Sequence, residues 1–162
     1  MNSNKKTKVL FVCLGNICRS PTAHGVFETL LQQQGLADRI HVDSAGTAAY
    51  HIGNPPDKRS IQAAASRGYS LSHLRARQVV REDFEEYDYI LAMDNENLAN
   101  LNDLRPKQYA GHLGLFLAFG QCTESEVPDP YYGGAEGFSQ VLDLVENASF
   151  GLLMSIQQSW LK

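Results

Sequence analysis

The chain has 162 residues, of which 43% are hydrophobic, and its formal net charge is −4 at pH 7. This length and apolar content suit one domain with a buried core and argue against disordered and fibrous classes. Acidic and basic residues are mixed along the sequence, so it predicts neither a nucleic-acid-binding nor a membrane-binding surface.

Residues 1–7 are polar, and the apolar run that follows is too short for a signal peptide or a membrane span. We therefore expect a flexible segment over residues 1–7, one domain over 8–162, and a cytoplasmic protein. The three cysteines, Cys13, Cys18 and Cys122, do not make a disulfide framework or a zinc-ligand pattern. Free thiols and no bound metal are expected.

The first predicted elements are a strand and a helix. The apolar run Lys8–Cys13 is typical of a strand buried on both faces. Ser20 suits the N-cap of a helix, and Pro21 suits its first position, where a backbone N–H is not needed. Apolar residues at helical spacing continue to Gly35, which ends the helix.

The rest of the chain alternates between strand and helix patterns. Strands are predicted at 40–44, 87–93 and 113–119, helices at 57–67, about 96–104 and about 136–160, and a short helix or turn at 81–86. This alternation predicts a single three-layer α/β domain, with a central four-stranded parallel sheet flanked by helices on both faces. Ligands of such folds bind at the carboxyl ends of the strands, where we place Cys13, Ser44, Asp94 and the loop after Phe119.

The segment between the first strand and the first helix carries the chemistry. Five residues separate Cys13 from Arg19, namely Leu14, Gly15, Asn16, Ile17 and Cys18. A loop this short at a helix N-terminus turns its backbone amides around one tetrahedral oxyanion. Gly15 and Asn16 accept the left-handed conformations this requires, and Arg19 offers a planar fork for two phosphate oxygens. The pattern predicts a phosphate-binding loop with Cys13 in line for attack.

The nucleophile at Cys13 has to be a thiolate. Lowering the pKa of a thiol far enough to keep it ionised requires roughly 4 kcal/mol of stabilisation. A helix N-terminus supplies about 0.3–1 kcal/mol of this. Arg19, the loop amides and the Ser20 hydroxyl must therefore supply the remainder, and we expect Ser20 to hydrogen-bond the sulfur.

Six motifs occur in an order and spacing that resemble the low-molecular-weight protein tyrosine phosphatases. They are Cys13–Pro21, Asp43–Thr47, Asn54–Asp57, Ala76–Gln78, Asp88–Asp94 and Asp129–Gly133. The resemblance runs from about Lys8 to Trp160, and the first and last motifs are the specific ones.

The resemblance implies hydrolysis of phosphotyrosine and small aryl phosphates without a metal or cofactor. Cys13 would form a cysteinyl phosphate, Arg19 would bind the phosphate within the loop Leu14–Ser20, and Asp129 would be the general acid. A carboxyl beside Pro130 on a partly desolvated loop suits that last role.

Further residues take roles from the same resemblance. Asn16, Ser20 and Ser44 would support the shape of the loop, and Cys18 would pair with the nucleophile on oxidation and protect it from irreversible damage.

Aromatic residues are expected at the rim of the site. Tyr131 and Tyr132 would form one wall and Tyr50 the other, which suits an aromatic phosphate monoester. The resemblance implies a tyrosine-phosphorylated protein as the substrate, with a bacterial tyrosine kinase as one candidate. A small acidic domain defaults to a monomer.

Two other functions remain open at this point. A thioredoxin-coupled arsenate reductase has a similar loop but needs two further cysteines on a mobile middle segment, and Cys122 is the one cysteine outside the loop. A catalytically silent phosphate-binding module could keep Arg19 while losing the nucleophile or the acid, yet both Cys13 and Asp129 are present. Nucleotide binding is disfavoured because no glycine-rich nucleotide motif follows a strand.

Overall fold

The computed structural model describes residues 6–131 and 133–161. In chain order its elements are β1 (Thr7–Cys13), α1 (Arg19–Gln33), β2 (Ile40–Gly46), α2 (Lys58–Ala65), α3 (Asp83–Glu86), β3 (Tyr89–Ala92), α4 (Asn95–Leu104), β4 (His112–Leu115), a 3-10 helix (Phe116–Phe119) and α5 (Ala135–Ser159).

The strands form one parallel sheet in the order β2-β1-β3-β4. β1 lies inside the sheet and pairs with β2 on one side and β3 on the other. The last five residues of β1, Val9–Cys13, are buried because helices cover both faces of the sheet. The predicted α/β domain with a four-stranded parallel sheet is confirmed.

Side chains of β1 alternate between the two helical layers, as the pleat of a strand requires. Phe11 enters the layer of α1 and α5, where its ring meets Phe27 and Phe116 edge to face at centroid distances of 5.8 and 4.9 Å. Leu10 enters the opposite layer together with Leu101 of α4. Both layers therefore anchor the strand that ends at the predicted nucleophile.

The register brings the carboxyl ends of three strands to one edge of the sheet. Cys13 lies opposite Gly46 at the end of β2, and the Met93 N–H, just after β3, donates to Val12 O at 3.0 Å. The Val127 N–H donates to Met93 O at 2.8 Å and attaches the loop before α5 to this edge. Segments distant in sequence thus meet around the end of β1.

The prediction of a strand over 113–119 is wrong in its second half. The strand ends at Leu115, and residues 116–119 form a 3-10 helix closed by the Gly120 N–H donating to Leu117 O at 3.0 Å. A strand would send Phe116 and Leu117 to opposite faces, whereas the tight helix buries both.

Two smaller expectations also change. Thr7 belongs to β1, because its N–H donates to Arg39 O at 3.0 Å, so the predicted N-terminal segment is one residue too long; residues 1–5 of that segment lie outside the described part. Ser44 is not at the end of its strand, since it pairs opposite Phe11 and β2 continues to Gly46.

α5 is 25 residues long and closes one face of the sheet against α1 and α2. Across residues 6–131 and 133–161, no helix combines the length and the apolarity needed to cross a membrane.

Candidate active site

The β1–α1 loop, residues 14–18, turns sharply at the end of the sheet. Asn16 has φ 58°, a left-handed conformation that asparagine tolerates better than most residues with a side chain. The loop is attached to its surroundings by backbone bonds, including Ala48 N–H to Leu14 O at 2.9 Å and Asp57 N–H to Ile17 O at 2.8 Å. These bonds tie the loop to the segment after β2 and to the segment before α2.

Cys13 is buried at the base of this loop, and its sulfur has two polar neighbours. Ser20 Oγ lies 3.0 Å from Cys13 Sγ, and the Asn16 backbone N–H donates to the sulfur at 3.3 Å. Asn16 Nδ2 also donates to Ser20 Oγ at 2.8 Å. These contacts are suited to stabilising a negative charge on the sulfur.

Ser20 does not cap α1, contrary to the prediction from sequence. The N-cap is Cys18, which has no side-chain capping bond, and α1 begins at Arg19. The Ser20 hydroxyl is directed to Cys13 Sγ and to Ala45 O, which lies 3.3 Å away, rather than to a backbone N–H of the first turn. Pro21 then lies inside the first turn, where its missing N–H leaves no bond unmade.

The Arg19 guanidinium is buried and held from behind. Its Nη1 donates to Asp94 Oδ2 at 2.6 Å and to Val127 O at 3.1 Å, and its Nη2 lies 3.8 Å from Asp129 Oδ2. Burial by itself lowers the pKa of Arg19, but the Cys13 sulfur, the Asp94 hydrogen bond and the nearby carboxylates together raise it. Arg19 is therefore a permanent positive charge beside the predicted nucleophile.

Asp129 lies on the loop before α5 and faces the same cavity. The cavity has a volume of about 200 Å³ and is lined by Cys13, Leu14, Gly15, Ile17, Cys18, Arg19, Tyr50, His51, Asp129 and Tyr131. The Tyr131 backbone N–H donates to Asp129 Oδ1 at 3.1 Å and orients the carboxyl group. The structure thus brings the predicted nucleophile, arginine and acid around one space.

The rim is aromatic on two sides. Tyr50 is 74% exposed and Tyr131 is 38% exposed at the mouth of the cavity. The Arg59 guanidinium lies 5.4 Å from the centroid of the Tyr131 ring. Tyr132, the third predicted rim residue, lies outside the described residues.

His51 was missed by the sequence reasoning although it lines the cavity. Its Cδ2 is 3.0 Å from the position that a Cβ on Gly15 would occupy, so the imidazole packs directly on the loop. Its place next to Tyr50, in the loop after β2, was the available signal.

Cys18 lies in the cavity wall and is buried. Burial raises its pKa to about 12, although a hydrogen bond with Ser60 opposes the shift. Cys18 is consequently a neutral thiol over the physiological range, and its role in oxidation stays a prediction.

Ser44 contacts a histidine of α1. Its hydroxyl is 3.0 Å from His24 Nδ1, and His24 Nε2 is 3.2 Å from Glu28 Oε2. The hydrogen bond with His24 lowers the pKa of Glu28, an effect that burial partly opposes. Ser44 therefore joins β2 to α1, and its support of the loop stays a prediction.

Two further residues contact the site, Asp94, which the sequence placed at this edge without a role, and Arg77, which it did not place there. Asp94 caps α4 by accepting the Asn97 N–H at 2.8 Å while its other oxygen pairs with Arg19. The Arg77 backbone N–H donates to Asn16 Oδ1 at 3.0 Å.

Comparisons with known proteins agree on one family. The profile of the family described as low molecular weight phosphotyrosine protein phosphatase matches residues 8–161. The low molecular weight protein-tyrosine-phosphatase YfkJ of Bacillus subtilis is 41% identical over 93% of this chain and 96% of its own. The human low molecular weight phosphotyrosine protein phosphatase is 44% identical over 82% and 85%. A crystal structure of a protein tyrosine phosphatase from Entamoeba histolytica superposes with a TM-score of 0.92 at 42% identity, covering 95% of this chain and 99% of the other.

Proposed function

We propose a two-step mechanism, requiring no metal ion, for this chain, which belongs to the low molecular weight phosphotyrosine protein phosphatase family. As a member it is a protein tyrosine phosphatase, and the proposal concerns how its residues carry out the reaction. The observation that supports it best is the pair of contacts on Cys13 Sγ, from Ser20 Oγ at 3.0 Å and from the Asn16 N–H at 3.3 Å.

In the first step the Cys13 thiolate attacks the phosphorus of phosphotyrosine. A sulfur–phosphorus bond forms, the bond from phosphorus to the phenolic oxygen breaks, and Asp129 in its protonated form gives its proton to that oxygen. The loop amides and the Arg19 fork bind the non-bridging oxygens and stabilise their charge in the transition state. They neutralise the phosphate charge that a metal ion neutralises in other phosphatases.

In the second step water hydrolyses the cysteinyl phosphate. Asp129, now a carboxylate, takes a proton from the water, whose oxygen attacks the phosphorus as the sulfur–phosphorus bond breaks. Inorganic phosphate leaves, and Cys13 returns as a thiolate. The Ser20 hydroxyl and Asn16 N–H stabilise the sulfur in both steps, because it carries negative charge before the first and after the second.

The rim supports an aryl phosphate as the substrate. Tyr50 and Tyr131 flank the mouth of the cavity, and a phenyl ring entering between them would place its phosphate against the loop. We infer that the physiological substrate is a tyrosine-phosphorylated protein, with a bacterial tyrosine kinase as one candidate, and that the enzyme acts as a cytoplasmic monomer.

The test compares hydrolysis of p-nitrophenyl phosphate and of a phosphotyrosine peptide by the wild type, Cys13→Ser and Asp129→Asn, in chelator and across pH. Cys13→Ser should abolish turnover, and Asp129→Asn should lower kcat by about 10²–10⁴-fold, more for phosphotyrosine because its phenolate is the poorer leaving group. Cys122→Ser, which changes a thiol outside the cavity, is the matched control and should keep full activity.

Trapping the intermediate completes the test. Acid quenching of Asp129→Asn during turnover, followed by peptide mass spectrometry, should place a phosphoryl group on the peptide that contains Cys13. Activity that survives in Cys13→Ser, or that is lost in chelator and restored by a divalent metal, would contradict the mechanism.

A further inference from the structure

Three hydrogen bonds connect the backbone of residue 77 to the sulfur of Cys13. The Arg77 N–H donates to Asn16 Oδ1 at 3.0 Å, Asn16 Nδ2 donates to Ser20 Oγ at 2.8 Å, and Ser20 Oγ lies 3.0 Å from Cys13 Sγ. Asn16 and Ser20 are almost fully buried. Water therefore has little access to this relay of three hydrogen bonds and cannot readily replace one of its groups.

The donor at its outer end fixes the direction of the whole relay. A backbone N–H can only donate, so the Asn16 amide must turn its oxygen to Arg77 and its nitrogen to Ser20. The amide nitrogen can only donate as well, so Ser20 Oγ must accept. The one hydrogen of the Ser20 hydroxyl then remains for Cys13 Sγ or Ala45 O, and a negative sulfur at 3.0 Å is the stronger acceptor of the two.

The side chain of Arg77 holds residue 77 in place by contacts to two other elements. Its Nη1 and Nη2 form a bidentate pair with Asp83 at 3.1 Å each, and its Nε donates to Asp43 Oδ2 at 3.0 Å. Burial lowers the pKa of Arg77, but the two carboxylates outweigh it and raise the pKa. Arg77 thus joins α3 to β2 through a planar fork.

We propose that Arg77 is a positioning residue for catalysis, which uses its paired side chain to hold its backbone N–H on Asn16 and so directs the Ser20 hydroxyl to Cys13. The inference rests on the proposed role of Cys13 as the nucleophile. Arg77 does not line the cavity that holds Cys13, Arg19 and Asp129, so it acts through Asn16 and not on the substrate.

Backbone hydrogen bonds also hold the chain around residue 77, and they limit the expected effect of removing the Arg77 side chain. Gly46 N–H donates to Arg77 O and Val79 N–H donates to Gly46 O, both at 2.8 Å. Loss of the side chain should therefore shift the N–H rather than release it. We expect kcat to fall about tenfold, less than the roughly hundredfold or greater cost of deleting a donor outright.

The variant is Arg77→Met, and Arg67→Met is its matched control. Arg67 also pairs with two carboxylates, Asp143 at 2.9 Å and Glu146 at 2.8 Å, and its side chain is 29% exposed against 33% for Arg77. It touches neither Asn16 nor the β1–α1 loop in any described contact. Both variants should lose stability, and only Arg77→Met should change the chemistry of Cys13.

The primary readout is the rate of Cys13 alkylation by iodoacetamide as a function of pH, followed by peptide mass spectrometry, because it needs no turnover. In Arg77→Met the alkylation curve should move to higher pH and kcat should fall more than KM rises, while Arg67→Met should match the wild type. Arg77→Lys, which keeps the charge but loses the fork, should give a smaller shift and serves if Arg77→Met does not fold.

The decisive comparison uses the Asn16→Ala variant, which removes the relay. The double variant Asn16→Ala with Arg77→Met should have the same alkylation curve as Asn16→Ala alone. An undiminished further shift, or an Arg77→Met curve that superposes on that of Arg67→Met, would overturn the inference. A shifted curve in a protein without Cys13-dependent phosphatase activity would support the positioning role and refute the proposed function.

Discussion

Replacing Ser20 with alanine removes the hydroxyl that lies 3.0 Å from Cys13 Sγ. A hydrogen bond to a charged group contributes about 1.5–3 kcal/mol, and tenfold in an equilibrium or rate corresponds to about 1.4 kcal/mol. Ser20→Ala should therefore lower kcat/KM by roughly 10- to 150-fold, because the sulfur loses a hydrogen bond that stabilises its negative charge.

The same substitution leaves the buried Asn16 Nδ2 without its acceptor. An unsatisfied buried donor costs about 1–3 kcal/mol, so the free energy of unfolding should fall by that amount. Ser149→Ala is the matched control, because Ser149 is also a buried helical serine, yet its hydroxyl has no hydrogen-bond partner among the described residues. It should leave kcat unchanged.

The assay measures kcat and KM for p-nitrophenyl phosphate between pH 4.5 and 8, urea unfolding, and the pH dependence of Cys13 alkylation. A Ser20→Ala enzyme whose alkylation curve and kcat match those of the wild type would refute the reasoning that the hydroxyl stabilises the sulfur. If Ser20→Ala lost stability while kcat and the alkylation curve stayed unchanged, Ser20 would contribute to packing only.

Three other changes test the site and its surroundings. Gly46→Ala places a Cβ 2.7 Å from Leu14 O, so the β1–α1 loop must move; kcat should fall and urea unfolding should show a loss of about 1–3 kcal/mol. His51→Ala removes one wall of the cavity, and KM for aryl phosphates should rise about fivefold, the equivalent of about 1 kcal/mol of lost binding, with little change in kcat. The pKa of Glu28 is lowered in the folded state. Its pair with His24 therefore stabilises the protein at pH values above the pKa of an ordinary carboxyl group, and this stabilisation is lost as the pH falls through the lower pKa of the folded state. Glu28→Gln should therefore be less stable than the wild type at pH 7 and equal to it well below about pH 4 in urea unfolding.

The fold class was predictable because the strongest signals in the chain are local. Val9–Cys13 is an apolar run that only a doubly covered strand accommodates, and strand and helix patterns alternate after it. The errors fall where a local pattern has two outcomes. Residues 116–119 are apolar enough for a strand, but packing on Phe11 and α5 selects a 3-10 helix that buries Phe116 and Leu117 together.

The site was partly predictable for a similar reason. The spacing from Cys13 to Arg19 encodes its own loop, so those residues could be proposed from sequence. Asp94 could be placed at the right edge of the sheet, but its bond to Arg19 could not be predicted. His51 and the backbone of Arg77 reach the loop only through tertiary contacts, which neighbouring residues do not specify.

Ser20 was placed in the site correctly but given the wrong local role. Its sequence position favours a helix cap, but the fold places a sulfur and a carbonyl oxygen within reach, and the hydroxyl bonds to those instead. Helix capping is one of several bonds a serine hydroxyl can make, and the neighbours that decide between them come from β1 and β2.

The bond from Arg19 to Val127 O spans 108 positions along the chain, and this separation has a consequence for folding. Closing a loop of this length costs more chain entropy than pairing β1 with β2, so we expect this contact to form late in folding. Because Asp129 and α5 both belong to the C-terminal part of the chain, phosphatase activity during refolding should return only once that part has docked, which makes the enzyme's own turnover a reporter of this step.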